Sequence, residues 1–316
     1  MGLNRREALK VLAVAGASAA GVAAMPREAA AREPKKAPEG AVGMLYDSTL
    51  CIGCKACMAA CRDANGIEDH SPNGMYYEPV DLSSRAKTVI KVYEEEGSSR
   101  YCFFKAQCMH CIDPACASAC MLGAFQKREG GIVTWDGDRC VGCRYCEVAC
   151  PFGVPKFEFD KSIPKMVKCE MCAHRLRQGQ LPACVEVCPR KAITFGKRSE
   201  LLAEAKKRIA DHPERYYPKV YGEHDGGGTQ VLFLSPAGIS FEKVGLPNLG
   251  TKSVPSLPET VQHTIYAGFA APIALYAMLA GAVHRNMKRG AGGDASPDPS
   301  AGATDSAGSS DAEVRP

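Results

Sequence analysis

Twelve residues carry the densest chemistry in the chain: Cys140-Val-Gly-Cys143-Arg-Tyr-Cys146-Glu-Val-Ala-Cys150-Pro151. Three thiolates spaced three residues apart can close on one face of an iron–sulfur cube. A fourth, four residues on, reaches across to the other cluster of a pair, and the proline turns the chain away. One such run therefore calls for another, and three more are present. They are Cys51-x2-Cys54-x2-Cys57-x3-Cys61, Cys108-x2-Cys111-x4-Cys116-x3-Cys120 and Cys169-x2-Cys172-x11-Cys184-x3-Cys188. The second run has a longer gap and Met121 in place of proline. The fourth opens a loop over 173–183 and closes on Pro189. Four runs make an internal repeat. They use sixteen of the 17 cysteines, leave Cys102 over, and predict four [4Fe-4S] clusters.

The competing metal is zinc, which also takes four thiolates and is well served by C-x2-C pairs. Three ligands within seven residues, with a fourth close behind, suit a multi-iron cube better. An odd number of clustered thiols, all within 51–188, fits a disulfide framework poorly. The net charge of +4 is too small to argue for nucleic acid. There is no Walker loop, and no dinucleotide fingerprint follows an expected strand. Gly226–Gly228 opens a strand rather than a helix. Nothing resembles a substrate-activating site, so an electron carrier without catalytic residues is the economical reading. With sixteen cysteines filling the ligand quota, His110 and His174 are read as hydrogen-bond donors rather than iron ligands. Cys102, in an apolar strand, is read as a buried inert thiol.

The elements that must position these thiols are short. Residues 43–50 read as a strand entering the first run. Thr88–Tyr93 and Arg100–Phe104 flank Gly97-Ser-Ser99 as a β-hairpin, and 124–126 with 132–135 form another around Gly130-Gly131. Ile193–Phe195 reads as a strand. Ser199 is expected to cap a helix to Ala210, with Leu202, Ala205 and Ile209 on one face and Lys206, Lys207 and Arg208 on a solvated one. Residues 226–234 read as a turn and strand. Pro247, Pro255 and Pro258 should keep 245–260 extended.

Both ends have other duties. Residues 1–31 read as an export signal: Arg5-Arg6 and Leu9 precede a mildly apolar run, Val11 to Ala24, and Ala29-Ala30-Ala31 offer a cleavage site. The paired arginines resemble a twin-arginine signal. Residues 32–43 read as a linker. Ile265–Val283 is uncharged and apolar, and as helix it spans about 28 Å, close to a bilayer's hydrocarbon thickness. Arg285, Lys288 and Arg289 should hold its far end in the cytoplasm. The remaining tail, rich in Gly, Ala, Ser, Asp and Pro, is expected to be disordered.

The four-run order resembles the four-cluster ferredoxin-like subunits of bacterial respiratory oxidoreductases, such as the electron-transfer subunits of dimethyl sulfoxide reductase and formate dehydrogenase. In that family the outer runs pair with each other, and so do the inner runs. The resemblance implies that Cys51, Cys54 and Cys57 join Cys188, and that Cys169, Cys172 and Cys184 join Cys61. It likewise implies that Cys108, Cys111 and Cys116 join Cys150, and that Cys140, Cys143 and Cys146 join Cys120. Five stretches resemble more specifically the periplasmic subunit of hydrogenase-2-type [NiFe] hydrogenases. They are Gly43-Met-Leu-Tyr-Asp-Ser-Thr-Leu-Cys51, Gln107-Cys-Met-His-Cys111, Leu181-Pro-Ala-Cys-Val-Glu-Val-Cys-Pro189, Gly226-Gly-Gly-Thr-Gln-Val-Leu232 and Val261-Gln-His-Thr-Ile-Tyr266.

This resemblance implies an α+β fold of two fused bacterial-type ferredoxin modules, each with two clusters, with short hairpins and loops and one C-terminal transmembrane helix. The expected order is signal 1–31, linker 32–43, four-cluster domain 44–221, extended periplasmic segment 222–260, membrane helix 261–284 and disordered cytoplasmic tail 285–316. The implied role is electron transfer between the small and large subunits of a [NiFe] hydrogenase and an integral membrane, quinone-reactive subunit. That places the body on the periplasmic face of the inner membrane, in contact with membrane lipid. The alternative is the equivalent subunit of a molybdopterin oxidoreductase.

Overall fold

The computed structural model describes residues 32–33, 35–68 and 79–290. The expected signal over 1–31 and most of the expected tail, 291–316, lie outside the described residues. Among the described residues, those from Arg32 to His263 belong to one compact unit and those from Thr264 to Gly290 to a second.

The first strand, Val42–Asp47, is buried along nearly its whole length. It forms the centre of a three-stranded sheet. Ile193–Lys197 pairs with it antiparallel on one side, and Val231–Leu234 pairs parallel on the other. Successive strand residues point to opposite faces. Met44, Tyr46, Val231 and Phe233 therefore face the core that also contains Cys57, Met109, Met171 and Cys184. Leu45, Leu232 and Leu234 face the other way, onto Leu201 and Ala205 of a covering helix, Arg198–Asp211. The sheet is a partition with the cysteine loops on one side and that helix on the other.

The strand at Val231–Leu234 corrects a domain boundary. Residues 222–260 do not form a separate extended segment after a domain ending at 221, because this stretch completes the central sheet. At the other end the first strand begins at Val42, inside the expected linker. The linker is also tied down: Arg32 and Lys35 both pair with buried Asp113, at 2.7 and 3.2 Å.

Both expected hairpins are present, as Val89–Glu94 with Tyr101–Ala106 and Phe125–Lys127 with Val133–Trp135. A third pair, Lys156–Phe157 with Met166–Val167, is two residues long on each side, too short to leave a periodic trace in sequence. The covering helix starts one residue before the expected cap. Lys197 holds the cap position without a side-chain bond, and Ser199 lies in the first turn. Arg198 sets that start. Its N–H donates to the Ala41 carbonyl (2.8 Å), and its guanidinium donates to the carbonyls of Thr229 (2.7 Å), Gly222 (3.0 Å) and Glu223 (3.1 Å). Lys206 and Lys207 are exposed as expected. Arg208 is not part of a solvated face, since it reaches buried Asp47 at 3.1 Å.

The terminal helix runs Ser256–Gly290, so 256–260 is helical rather than extended. Pro258 fits there because the first turn has no use for its missing N–H. The stretch Ser256–Lys288 is long and apolar enough to cross a membrane.

Candidate metal centres

Each cysteine run begins with the same backbone turn. The residue just before the second cysteine is Gly53, His110, Gly142 or Met171, and all four have positive φ: 68°, 47°, 73° and 53°. This winding brings the first and second thiols round to one side. Glycine adopts it freely, whereas His110 and Met171 hold it under strain in fully buried positions.

A short helix follows in every run and carries the third cysteine: Ala56–Ala64, Ala115–Ser118, Tyr145–Ala149 and Ala183–Glu186. The fourth cysteine comes four positions later, about one helical turn on. Third and fourth thiols thus leave the same side at different heights and can serve different centres. The helices pack in two pairs, Ala56–Ala64 against Ala183–Glu186 and Ala115–Ser118 against Tyr145–Ala149.

The sixteen side chains gather in four groups. Cys51, Cys54, Cys57 and Cys188 line a cavity walled by Tyr46, Ile52, Ile90 and Ile193. Cys61, Cys169, Cys172 and Cys184 line a second, together with Lys105 and Gln107. Cys111 is surrounded by Cys108, Cys150 and Cys116. Cys146 is surrounded by Cys140, Cys143 and Cys120. Consecutive groups are neighbours: Cys184 lies within electrostatic reach of Cys57, Cys108 of Cys169, and Cys116 of Cys146. The groups therefore form a row, with Cys54 and Cys143, both exposed, in its first and last members. Exposed apolar side chains lie close in sequence to these thiols: Ile52 at one end, and Val141, Tyr145 and Val148 at the other.

Burial raises the thiol pKa values: Cys57 and Cys108 to about 11, Cys146 and Cys184 to about 12. The Lys105 ammonium pulls Cys57 and Cys184 the other way, and Lys168 does the same for Cys108. Thiolates so deep in the protein require a positive charge in place of the proton, which is what metal binding supplies. Some sulfurs already accept N–H donors: Cys120 from Ala124 (3.2 Å), Cys188 from Ala192 (3.3 Å), Cys169 from Met171 (3.4 Å) and Cys51 from Gly53 (3.5 Å). Such bonds tune iron–sulfur centres. Among the described residues, no three His, Cys, Asp or Glu converge closely enough to hold a single ion. A tetrahedral zinc site draws its thiolates to within about 4 Å of each other. Four thiols around a wider space fit a cube.

His110 accepts a hydrogen bond at Nδ1 from the Val133 N–H (3.1 Å), so its proton sits on Nε2, which is buried without a partner among the described residues. Burial and the nearby Lys168 and Lys127 hold its pKa well below the usual histidine value. His174 lines a separate groove with Trp135 and Glu170. Cys102 is buried beside the Ser48 hydroxyl, outside the four groups, and burial raises its pKa. Sequence reasoning missed Lys105 and Lys168, both buried among the thiols. The available signal was a lysine inside an apolar strand, Tyr101-Cys-Phe-Phe-Lys-Ala106.

A family model described as a 4Fe-4S dicluster domain matches residues 99–198. The hydrogenase-2 operon protein HybA of Escherichia coli O157:H7 is 41% identical over 320 residues, covering 90% of this chain and 96% of that one. The chain belongs to the HybA family. Two further relatives match the HybA-family chain over less of its length. The iron–sulfur subunit of the nitrate-inducible formate dehydrogenase of Escherichia coli K12 is 40% identical over 61% of this chain and 67% of its own. The formate dehydrogenase iron–sulfur subunit of Haemophilus influenzae is 38% identical over 61% and 64%.

Proposed function

We propose that this HybA-family chain is the non-catalytic electron-transfer subunit of a [NiFe] hydrogenase, relaying electrons from the hydrogenase subunits to a quinone-reactive membrane subunit. The observation that carries this reading is the row of four thiol groups with an exposed cysteine in each end member. Bound [4Fe-4S] clusters would supply one-electron redox chemistry. Cys51, Cys54, Cys57 and Cys188 would hold the first; Cys61, Cys169, Cys172 and Cys184 the second. Cys108, Cys111, Cys116 and Cys150 would hold the third; Cys120, Cys140, Cys143 and Cys146 the fourth. The two helix pairs support two fused ferredoxin modules, one outer and one inner. Apolar walls around the first cavity shield Cys57 from water, and the N–H donors orient the sulfurs that accept them. The exposed apolar side chains close in sequence to Cys54 and Cys143 suit docking of the two partners.

The remaining assignments follow from sequence: a twin-arginine signal over 1–31, the body on the periplasmic side, a membrane anchor in the terminal helix and a cytoplasmic tail. The two formate dehydrogenase relatives match 61% of the chain, whereas the HybA relative matches nearly end to end, which favours the hydrogenase partner. Two measurements test the proposal. Anaerobically purified protein should carry about sixteen irons and as many acid-labile sulfides; four irons or fewer would overturn it. Affinity purification from membranes followed by mass spectrometry should recover a [NiFe] large subunit. Recovery of a molybdopterin protein instead would transfer the reading to that enzyme class.

A further inference from the structure

Lys105 has no exposed surface. It sits on the strand Tyr101–Ala106, and its Nζ donates to Thr88 Oγ1 (2.7 Å) and to Gln107 Oε1. Both partners are neutral. An ammonium has three N–H donors, so one remains beyond these two. Lys105 lines the second cavity with Cys61, Cys169, Cys172 and Cys184. Thiols of two different groups lie within its electrostatic reach: Cys61, Cys169, Cys172 and Cys184 of the second, and Cys57 of the first. A buried ammonium is costly unless negative charge faces it, and here the ligand thiolates of two neighbouring centres provide that charge.

We propose that Lys105 is a potential-setting residue shared by the first and second centres, a fixed cation that favours the reduced form of both. The inference rests on those two sites holding clusters. Each redox step there is the gain of one electron from a neighbour in the row or an external reductant; no bond forms or breaks, and Lys105 keeps its protons. An added electron is stabilised by a nearby positive charge in proportion to its proximity and the low local dielectric. The fourth centre, around Cys146, lies at the far end of the row and should not sense Lys105. Its role is electrostatic and acts through the cysteine-bound centres.

The test uses the purified full-length protein, with Lys105→Met, Lys105→Gln and Lys105→Arg variants. Iron and sulfide content is measured first, then the potential of each centre by dithionite titration followed by electron paramagnetic resonance. Met and Gln variants that load normally should show at least a tenfold fall in the reduced-to-oxidised ratio of two centres at fixed potential, about 59 mV for a one-electron couple. The Arg variant should restore most of that shift, and the other two centres should stay put. Unmoved potentials in fully loaded Met and Gln variants would overturn the proposal, as would an equal shift of all four. If the neutral variants fail to load but Arg loads, the charge is needed to assemble the two centres, which supports it. Failure of Arg as well makes shape rather than charge decisive and overturns it. An iron-poor wild type would instead refute the four-cluster reading, a separate outcome.

Discussion

The helix Ala56–Ala64 offers the sharpest test of how the thiols are shared. Cys57 lines the first cavity and Cys61 the second, although they lie one turn apart on one helix. Two fourfold variants separate grouping in space from grouping in sequence. Each replaces Cys51, Cys54 and Cys57 by alanine; one adds Cys188→Ala and the other adds Cys61→Ala. In the spatial arrangement, the Cys188 version removes every ligand of one centre and none of another, so about twelve of sixteen irons should remain, all in four-iron clusters. The Cys61 version removes the first centre and also leaves the second with three thiols. It should keep about eleven irons with a three-iron signal, or about eight if the second centre is lost. Each Cys→Ala change deletes one sulfur atom, on the order of 1 kcal/mol of packing. The four together fall below the ~5–15 kcal/mol of a typical domain. Iron and sulfide analysis with electron paramagnetic resonance reads the result. A three-iron signal or further iron loss in the Cys188 version, with twelve irons and no such signal in the Cys61 version, would refute the arrangement.

Three further outcomes are expected. A Cβ at Gly43 would stand 2.3 Å from the Gln230 carbonyl oxygen, so Gly43→Ala should push the first strand off Val231–Leu234 and cost about 1–3 kcal/mol; an unchanged thermal midpoint counts against that pairing. His110→Phe takes away the acceptor of the buried Val133 N–H and should cost about 1–3 kcal/mol in denaturant melts with iron content unchanged, whereas loss of a cluster's worth of iron would make His110 a ligand. A chain ending at His263 keeps the whole first compact unit and should load clusters fully but leave the membrane fraction, so continued sedimentation with membranes would show that the terminal helix is not the anchor.

How much of this was legible in sequence follows from what each feature depends on. Ligand chemistry constrains local spacing, so the four runs can be read directly. The hairpins at 89–106 and 125–135 could be read because strand alternation and glycine turns are local too. The sharing of thiols between runs depends on how two helix pairs pack, which spacing does not encode; resemblance supplied that grouping. Ser199 looked like a helix cap by residue type, but Arg198 moved the start by bonding to four carbonyls from three distant stretches. Arg208 looked like one of three surface cations, and only its meeting with buried Asp47, at the end of the central strand, takes it inward.

The largest misreading concerned residues 222–260, and its physical cause is instructive for the centres themselves. Val231–Leu234 is four residues long and far from the cysteines in sequence, so nothing local ties it to them. In the fold its approach is a splint for the second run. Ile112 N–H donates to Gly228 O (2.9 Å), Gln230 N–H to His110 O (3.2 Å) and Val231 N–H to Met109 O (3.2 Å). The Gln230 side chain then ties Val42 O (2.7 Å) and Gly130 O (2.6 Å) to the same point. The backbone between Cys108 and Cys111, held in a left-handed turn at His110, thus has its carbonyls satisfied by a segment about 120 positions later. Buried carbonyls left unpaired would be costly, and a strained turn persists only where its surroundings over-determine it. The later segment therefore belongs to the same compact unit as the cysteine runs, a unit that extends to His263 rather than ending at Tyr221.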